Sequence, residues 1–159
     1  MLYFNHMRCF IAIELPQEIK NYLEDTIYQL DKQNQNSIIK WVETENLHLS
    51  LGFIENIEDN KIKELISKLN TSLDINEFII SLDRVSFFPS KLNPKVIKVN
   101  LTDPDQKLSV YFKTIQTIFK ELDLPFESRP FSPHITLGRI KRKIGHVKLI
   151  RELEKFPFK

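Results

Sequence analysis

Apolar positions along this 159-residue chain recur with two periods, and the switches between them mark out its elements. Residues 8–14 (Arg-Cys-Phe-Ile-Ala-Ile-Glu) are a short, β-favouring apolar run closed by Leu15-Pro16, which predicts a buried strand. Pro16 suits the first turn of a helix. Ile19, Tyr22, Leu23, Ile27 and Leu30 then follow at helical spacing, giving a helix over 17–32. The polar stretch 32–37 is a loop, and 38–42 is a short strand ending near Trp41. A strand over 47–54 precedes an amphipathic helix over 57–73, with Ile62, Leu65, Ile66 and Leu69 on its apolar stripe. A strand over 77–88 bends near Asp83-Arg84, and 89–94 turns. Residues 95–101 alternate Val96, Lys98 and Asn100 against Ile97, Val99 and Leu101, the pattern of a half-exposed strand. A third helix over 108–122 carries Leu108, Phe112, Ile115, Phe119 and Leu122 on one stripe. A loop over 125–132, a strand over 134–140 and a last helix over 147–153 complete the order.

Strands that neighbour each other in sequence, with helices set between groups of them, predict an α+β fold with mainly antiparallel sheets rather than a doubly wound parallel sheet. Neither a low-complexity segment nor a long linker interrupts the chain, so residues 1–159 read as one domain. One repeat stands out. Asn46-Leu-His48-Leu-Ser50-Leu-Gly-Phe53 is echoed by Arg129-Pro-Phe-Ser-Pro-His134-Ile-Thr136-Leu-Gly-Arg139, just over half a chain later. It suggests two pseudo-symmetric lobes, each a small sheet with helices on its outer face.

Composition narrows the classes. The charged share of 28% and the net charge of +2 are ordinary for a globular protein, and permit a polyanionic partner without demanding one. A lone Cys9 leaves no internal disulfide framework and fits a reducing compartment. No apolar run is long enough to span a bilayer, and the first residues lack a signal peptide's apolar core. Met7, just before the first structured run, offers an alternative start. A cytoplasmic protein with no membrane partner, acting as a monomer, is the expectation.

In a strand, residues two apart share a face, so each copy of the repeat sets an imidazole beside a hydroxyl. Histidine accepts or donates a proton near neutral pH, and two on opposite sides of one substrate supply a base and an acid together. In-line displacement at phosphorus needs both. The hydroxyls of Ser50 and Thr136 can hydrogen-bond the non-bridging oxygens on which charge builds up. Ring opening of a cyclic phosphodiester needs one water, one base and one acid, and no metal.

These residues carry a resemblance. The paired His-x-(Ser/Thr)-x motifs, Arg8-x-Phe-Ile-Ala-Ile-Glu-Leu-Pro16, Trp41-Val-x-x-Glu-Asn-Leu-His-Leu-Ser-Leu51 and Arg129-Pro-Phe-x-Pro-His-Ile-Thr-Leu-Gly-Arg139 resemble the 2H phosphoesterase superfamily. The similarity is greatest to its RNA 2′,3′-cyclic phosphodiesterase branch, also called 2′-5′ RNA ligase, and covers about residues 8–153. It implies a bilobal fold whose two motif strands line a central cleft. It also implies hydrolysis of RNA 2′,3′-cyclic phosphate ends to 2′-phosphomonoesters without metal or cofactor, with reversible 2′-5′ ligation of RNA ends as a linked activity. His48 would be the proton donor and His134 the proton acceptor, with Ser50 and Thr136 holding the phosphate. RNA ends, tRNA-like fragments among them, would be the partners.

The chain departs from the family pattern in three places. Ser50 stands where Thr is commoner, Lys98 stands in a strand where relatives often carry an aromatic residue, and the relatives continue past Lys159 with one or two further strands. Two arginines are weaker candidates for substrate contact. Arg139, five residues after His134, points to the opposite face of a regular strand unless a bulge intervenes. Arg129 either closes the cleft or pairs with a surface carboxylate. Lys141-Arg142-Lys143 is solvated surface or a track for RNA phosphates. Trp41 and Phe53 either stack on a base or, the favoured expectation, pack in the core. His6 and His146 read as surface residues. Two alternatives keep the same motifs: a phosphodiesterase for a small cyclic nucleotide or an ADP-ribose cyclic phosphate, and a non-catalytic RNA-end-binding module.

Overall fold

The structure, a computed structural model, describes residues 6–33, 38–74, 76–126 and 130–142. Arg129, Lys143, His146 and the helix expected over 147–153 lie outside the described residues. The described elements are β1 (His6–Glu14), α1 (Gln17–Gln33), β2 (Ile38–Trp41), a single 3₁₀ turn (Thr44–Asn46), β3 (His48–Glu58), α2 (Asp59–Ser72), β4 (Ser81–Phe88), β5 (Val96–Thr102), α3 (Lys107–Glu121) and β6 (His134–Arg142). The pairings β2–β6, β3–β6, β4–β5 and β5–β6 are all antiparallel. The protein is therefore α+β. No helix among the described residues is long and apolar enough to cross a membrane.

The chain divides into two compact units. One comprises Met1–Ile13, Ser50–Ile80 and Asp103–Ser132. Here α2 and α3 are held together by Lys61 Nζ donating to the Leu122 carbonyl (3.0 Å) and by the Lys68–Glu121 ion pair (2.7 Å). Asp103 caps α3, its two carboxylate oxygens accepting from the Lys107 and Leu108 amides at 3.1 and 2.7 Å. Buried Ile54, Ile57, Leu65, Leu108, Ile115, Ile118 and Phe119 form the core of this unit. Each such side chain contributes roughly 1.5–3 kcal/mol when fully buried.

The other unit comprises Glu14–Leu49, Ser81–Thr102 and Pro133–Lys159, and contains both motif histidines. β6 is its axis. β5 pairs along one edge of β6, from Asn100↔His134 to Val96↔Arg139. The start of β3 (Leu49↔Ile135) and then β2 (Trp41↔Gly138 onward) take successive stretches of the other edge. The buried face of this sheet carries Leu49, Ile97, Val99, Ile135 and Leu137, all at 0–1% exposure. α1 adds fully buried Leu23 and Leu30.

Several expectations need correction. β1 has no fully buried residue between Met7 and Glu14; it stands at the end of the strand order, so its apolar run is only half covered. β3 runs on to Glu58, because Ile57 is buried as a strand residue, and α2 starts at Asp59. On α2 only Leu65 is buried, while Ile66 is 52% exposed. The stripe of α3 is shifted: Tyr111 and Ile118 are buried, whereas Phe112 is half-buried and stacks on Phe131 at 4.5 Å. β4 begins at Ser81, not 77, and its ladder slips between Leu82 and Val85, where a bend at Asp83-Arg84 is expected.

Candidate active site

The two motif strands meet at one backbone pair, Leu49 with Ile135. Both residues are fully buried, and each is flanked in its own strand by half-buried polar neighbours: His48 and Ser50 on β3, His134 and Thr136 on β6. In an antiparallel ladder one step from that pair sets His48 opposite Thr136, on the face away from the core. His48, His134 and Thr136 belong to the same compact unit, and Ser50 is the first residue of β3 in the other.

The approach to His48 is built by local bonds. The Val42 amide donates to the Leu137 carbonyl (2.8 Å), tying the chain to the second motif as β2 ends. The 3₁₀ turn comes next, closed by the Asn46 amide on the Glu43 carbonyl (2.9 Å). Buried Lys20 of α1 donates to the Glu45 carbonyl (3.5 Å) and pairs with Glu14 (3.1 Å). The Asn46 carbonyl accepts from His48 Nδ1 at 2.6 Å. Nδ1 therefore carries a proton, donated to that carbonyl.

β5 extends the polar face. Asn100 lies opposite His134, and Lys98 lies opposite Thr136. Ser86 of β4 donates to Asn100 Oδ1 at 2.7 Å. Burial along β5 alternates, with Ile97, Val99 and Leu101 inward and Val96, Lys98 and Asn100 half-buried. Burial pushes the Lys98 ammonium below the usual lysine range.

Arg139 joins this face through a bulge. The β5–β6 register slips between Ile97 and Lys98: Lys98 pairs with Thr136, but Ile97 pairs with Gly138 and Val96 with Arg139. Leu137 and Gly138 are both buried, so the alternation changes phase, and Arg139 is exposed on the side of His134 and Thr136. Gly138 is closely covered where the register slips. A Cβ there would lie 2.8 Å from the Trp41 ring and 3.0 Å from Ile39. Trp41 packs on this glycine and donates Nε1–H to Asp31 at 2.7 Å, so its role is in packing.

Phe53 goes the other way from expectation. It is 55% exposed and sits 6.2 Å from the equally exposed ring of Phe10, within the first unit. The sequence marks Lys98 only as a departure from the family pattern and does not single out Asn100, yet both lie beside the second motif on β6. Their alternation is visible in the sequence, but their neighbours on β6 are not. Among the described residues no group of three or more His, Cys, Asp or Glu side chains converges as a metal site would require.

Residues 13–98 and 100–159 match the family of LigT like phosphoesterases. An RNA 2′,3′-cyclic phosphodiesterase from Methanocaldococcus jannaschii is 33% identical over 156 residues, covering 94% of this chain and 81% of the relative. One from Thermotoga maritima is 29% identical over 136 residues, covering 85% and 71%. Among solved structures, TT0787 of Thermus thermophilus shares the fold with a TM-score of 0.74 at 23% identity, over 87% of this chain and 76% of that one. E. coli LigT complexed with 3′-AMP gives 0.68 at 26% identity, over 85% and 74%. The match takes in the strands that carry both histidines, so the chain belongs to the LigT-like phosphoesterases.

Proposed function

We propose that this protein hydrolyses RNA 2′,3′-cyclic phosphate ends to 2′-phosphomonoesters, with His48 as acid and His134 as base. The observation that carries the proposal is the arrangement around Leu49 and Ile135, where two His-x-hydroxyl segments pair antiparallel with their polar residues off the buried face. The names of the M. jannaschii and T. maritima relatives point to the same substrate class.

His134 takes a proton from water as the water oxygen attacks phosphorus. The bond from phosphorus to the 3′ oxygen breaks, and His48 delivers its Nε2 proton to that oxygen. The Asn46 carbonyl on Nδ1 holds the imidazolium in the orientation this step needs. Thr136, Ser50 and Arg139 hold the non-bridging oxygens, whose charge grows in the transition state. A proton passed from His134 to His48 restores the starting state. A 5′-hydroxyl in place of the water yields a 2′-5′ linkage by the same steps. None of them requires a resident metal.

The test is incubation, with EDTA present, with a short RNA bearing a 2′,3′-cyclic phosphate, followed by identification of the phosphate position. The expected product is a 2′-phosphate, with the rate lowered about 10²- to 10⁴-fold in both His48→Ala and His134→Ala. A folded protein without turnover on this RNA, but with turnover on a small cyclic nucleotide, would reassign the substrate. Binding of the RNA end with no turnover on either would make it a binding module.

A further inference from the structure

We propose that Lys98 is a substrate-binding residue whose ammonium group contacts the same phosphate that Thr136 holds. This rests on the phosphoesterase reading above and adds to it a cation from β5, a strand that carries neither motif.

Three observations place Lys98 there. In the β5–β6 ladder it lies directly opposite Thr136, two register steps from the Asn100↔His134 pair and so on the same face. Cβ atoms of such partners stand about 4.5–5.5 Å apart, so the four-carbon stem of the lysine is rooted beside the threonine hydroxyl. Its face is fixed by its neighbours: Ile97 and Val99 are fully buried on the other side. Finally, Lys98 is partly buried, yet it has no ion pair or hydrogen bond among the described residues. Its cross-strand partners, Ser86 on β4 and Thr136 on β6, are uncharged. Burial alone pushes its ammonium below the ordinary lysine range, with no carboxylate to offset it.

A partly buried cation without a counter-charge is costly unless an anion comes to it. A phosphate bound at Thr136 supplies that charge. Attack by water raises the charge on the phosphate oxygens, so the contact strengthens toward the transition state and favours kcat over KM. A phosphate further along an RNA chain lies a nucleotide away from Thr136. The register sets the root of the Lys98 side chain beside the reacting phosphate, and the oligomer and mononucleotide substrates below separate that phosphate from the rest of the RNA backbone.

The experiment compares Lys98→Met, which keeps the stem and removes the charge, with Lys98→Arg. Each is assayed on an RNA oligomer cyclic phosphate and on a mononucleotide 2′,3′-cyclic phosphate. Lys98→Met is expected to lower kcat/KM about 10- to 100-fold on both substrates, mainly through kcat, and Lys98→Arg to recover most of it. Unchanged rates would overturn the proposal. So would a loss confined to the oligomer, which would assign Lys98 to a chain phosphate. A second measurement does not depend on turnover. Inorganic phosphate is expected to raise the thermal midpoint of the wild type, and to raise that of Lys98→Met less. If the wild type turns over no cyclic phosphate, the functional reading fails while this comparison still decides the contact. An equal response of the two proteins to phosphate would rule the contact out.

Discussion

β3 and β6 open with the same five-residue plan, and they differ in the element that covers it and in the residue that comes next. In each strand His is half-buried, the next residue buried, the hydroxyl half-buried, and Leu and Gly both buried. The residue after Gly, Phe53 in one strand and Arg139 in the other, is exposed. The glycines are overlaid by different elements. Gly52 lies under Phe119 and Ile115 of α3, and Gly138 lies under Trp41 and Ile39 of β2. One local solution, a phase change at Leu-Gly, has thus been built beneath a helix in one case and beneath a strand in the other. It delivers an aromatic ring from the first copy and a guanidinium from the second. The two copies therefore share a burial plan and differ in their covers and in the residue that follows the glycine.

The largest effect that separates the copies is in the histidines. An acid must be protonated to act, so loss of the acid removes the limb on which activity falls as pH rises. A base must be unprotonated, so its loss removes the limb on which activity falls as pH drops. His48→Ala is expected to flatten the alkaline limb of kcat/KM and His134→Ala the acid limb, each at a rate about 10²- to 10⁴-fold lower. Exchanged limbs would show that the two strands have the opposite roles.

Arg139 and Phe53 come next. Removing the guanidinium deletes charge-assisted hydrogen bonds to phosphate, so Arg139→Ala should lower kcat/KM about 10- to 100-fold. Phe53→Ala should leave the rate on a mononucleotide cyclic phosphate within about 2-fold, as substitution of an exposed residue usually does. Equal losses in steady-state kinetics would mean that the position after Leu-Gly acts alike in both copies.

The glycines test the covers. A methyl group at Gly52 meets two Phe119 ring atoms at 3.0 Å and Ile115 at 3.1 Å, and both residues are fully buried. At Gly138 the contact with Trp41 is shorter, 2.8 Å, but that ring is only half-buried and can shift. Denaturant unfolding should therefore give a loss of about 2 kcal/mol for Gly52→Ala and about 1 kcal/mol for Gly138→Ala. The reverse order would show that Trp41, anchored on Asp31, is the stiffer of the two covers.

Much of the fold and of the site is legible in the sequence, and the misses share a cause. The α1 periodicity and the β5 alternation depend on residues near one another in the chain, and the structure bears both of them out. Strict alternation carried through Leu137-Gly138 puts Arg139 on the wrong face, because the ladder slips there. Phe53 reads as core because aromatic residues usually are. Ile66 falls on the stripe because helical spacing reports a face and not its cover, and of the four stripe residues only Leu65 is buried. Lys98 is visible only as a departure from relatives. Its partner Thr136 lies far along the chain, and register between strands is a long-range property that no local pattern encodes.

The smallest predicted effect comes from the same lysine, and it reads the site through stability. Burial holds the Lys98 ammonium, in the folded protein, below its ordinary range. Between that lowered value and the ordinary one the unfolded chain binds more protons, so unfolding free energy rises with pH across the window. Below the window the cost of keeping the charge partly buried is present in full. Lys98→Met removes this cost, so at neutral pH and without phosphate the variant should be the more stable protein. The gain is roughly 1 kcal/mol or less, because solvent screens a side chain that is only partly covered. The gap should close as pH climbs toward the ordinary lysine range, where the wild type sheds its own proton. Thermal midpoints of the two proteins, taken at several pH values, measure this directly. A variant less stable than the wild type at neutral pH would mean that Lys98 is held by structure rather than kept for an anion.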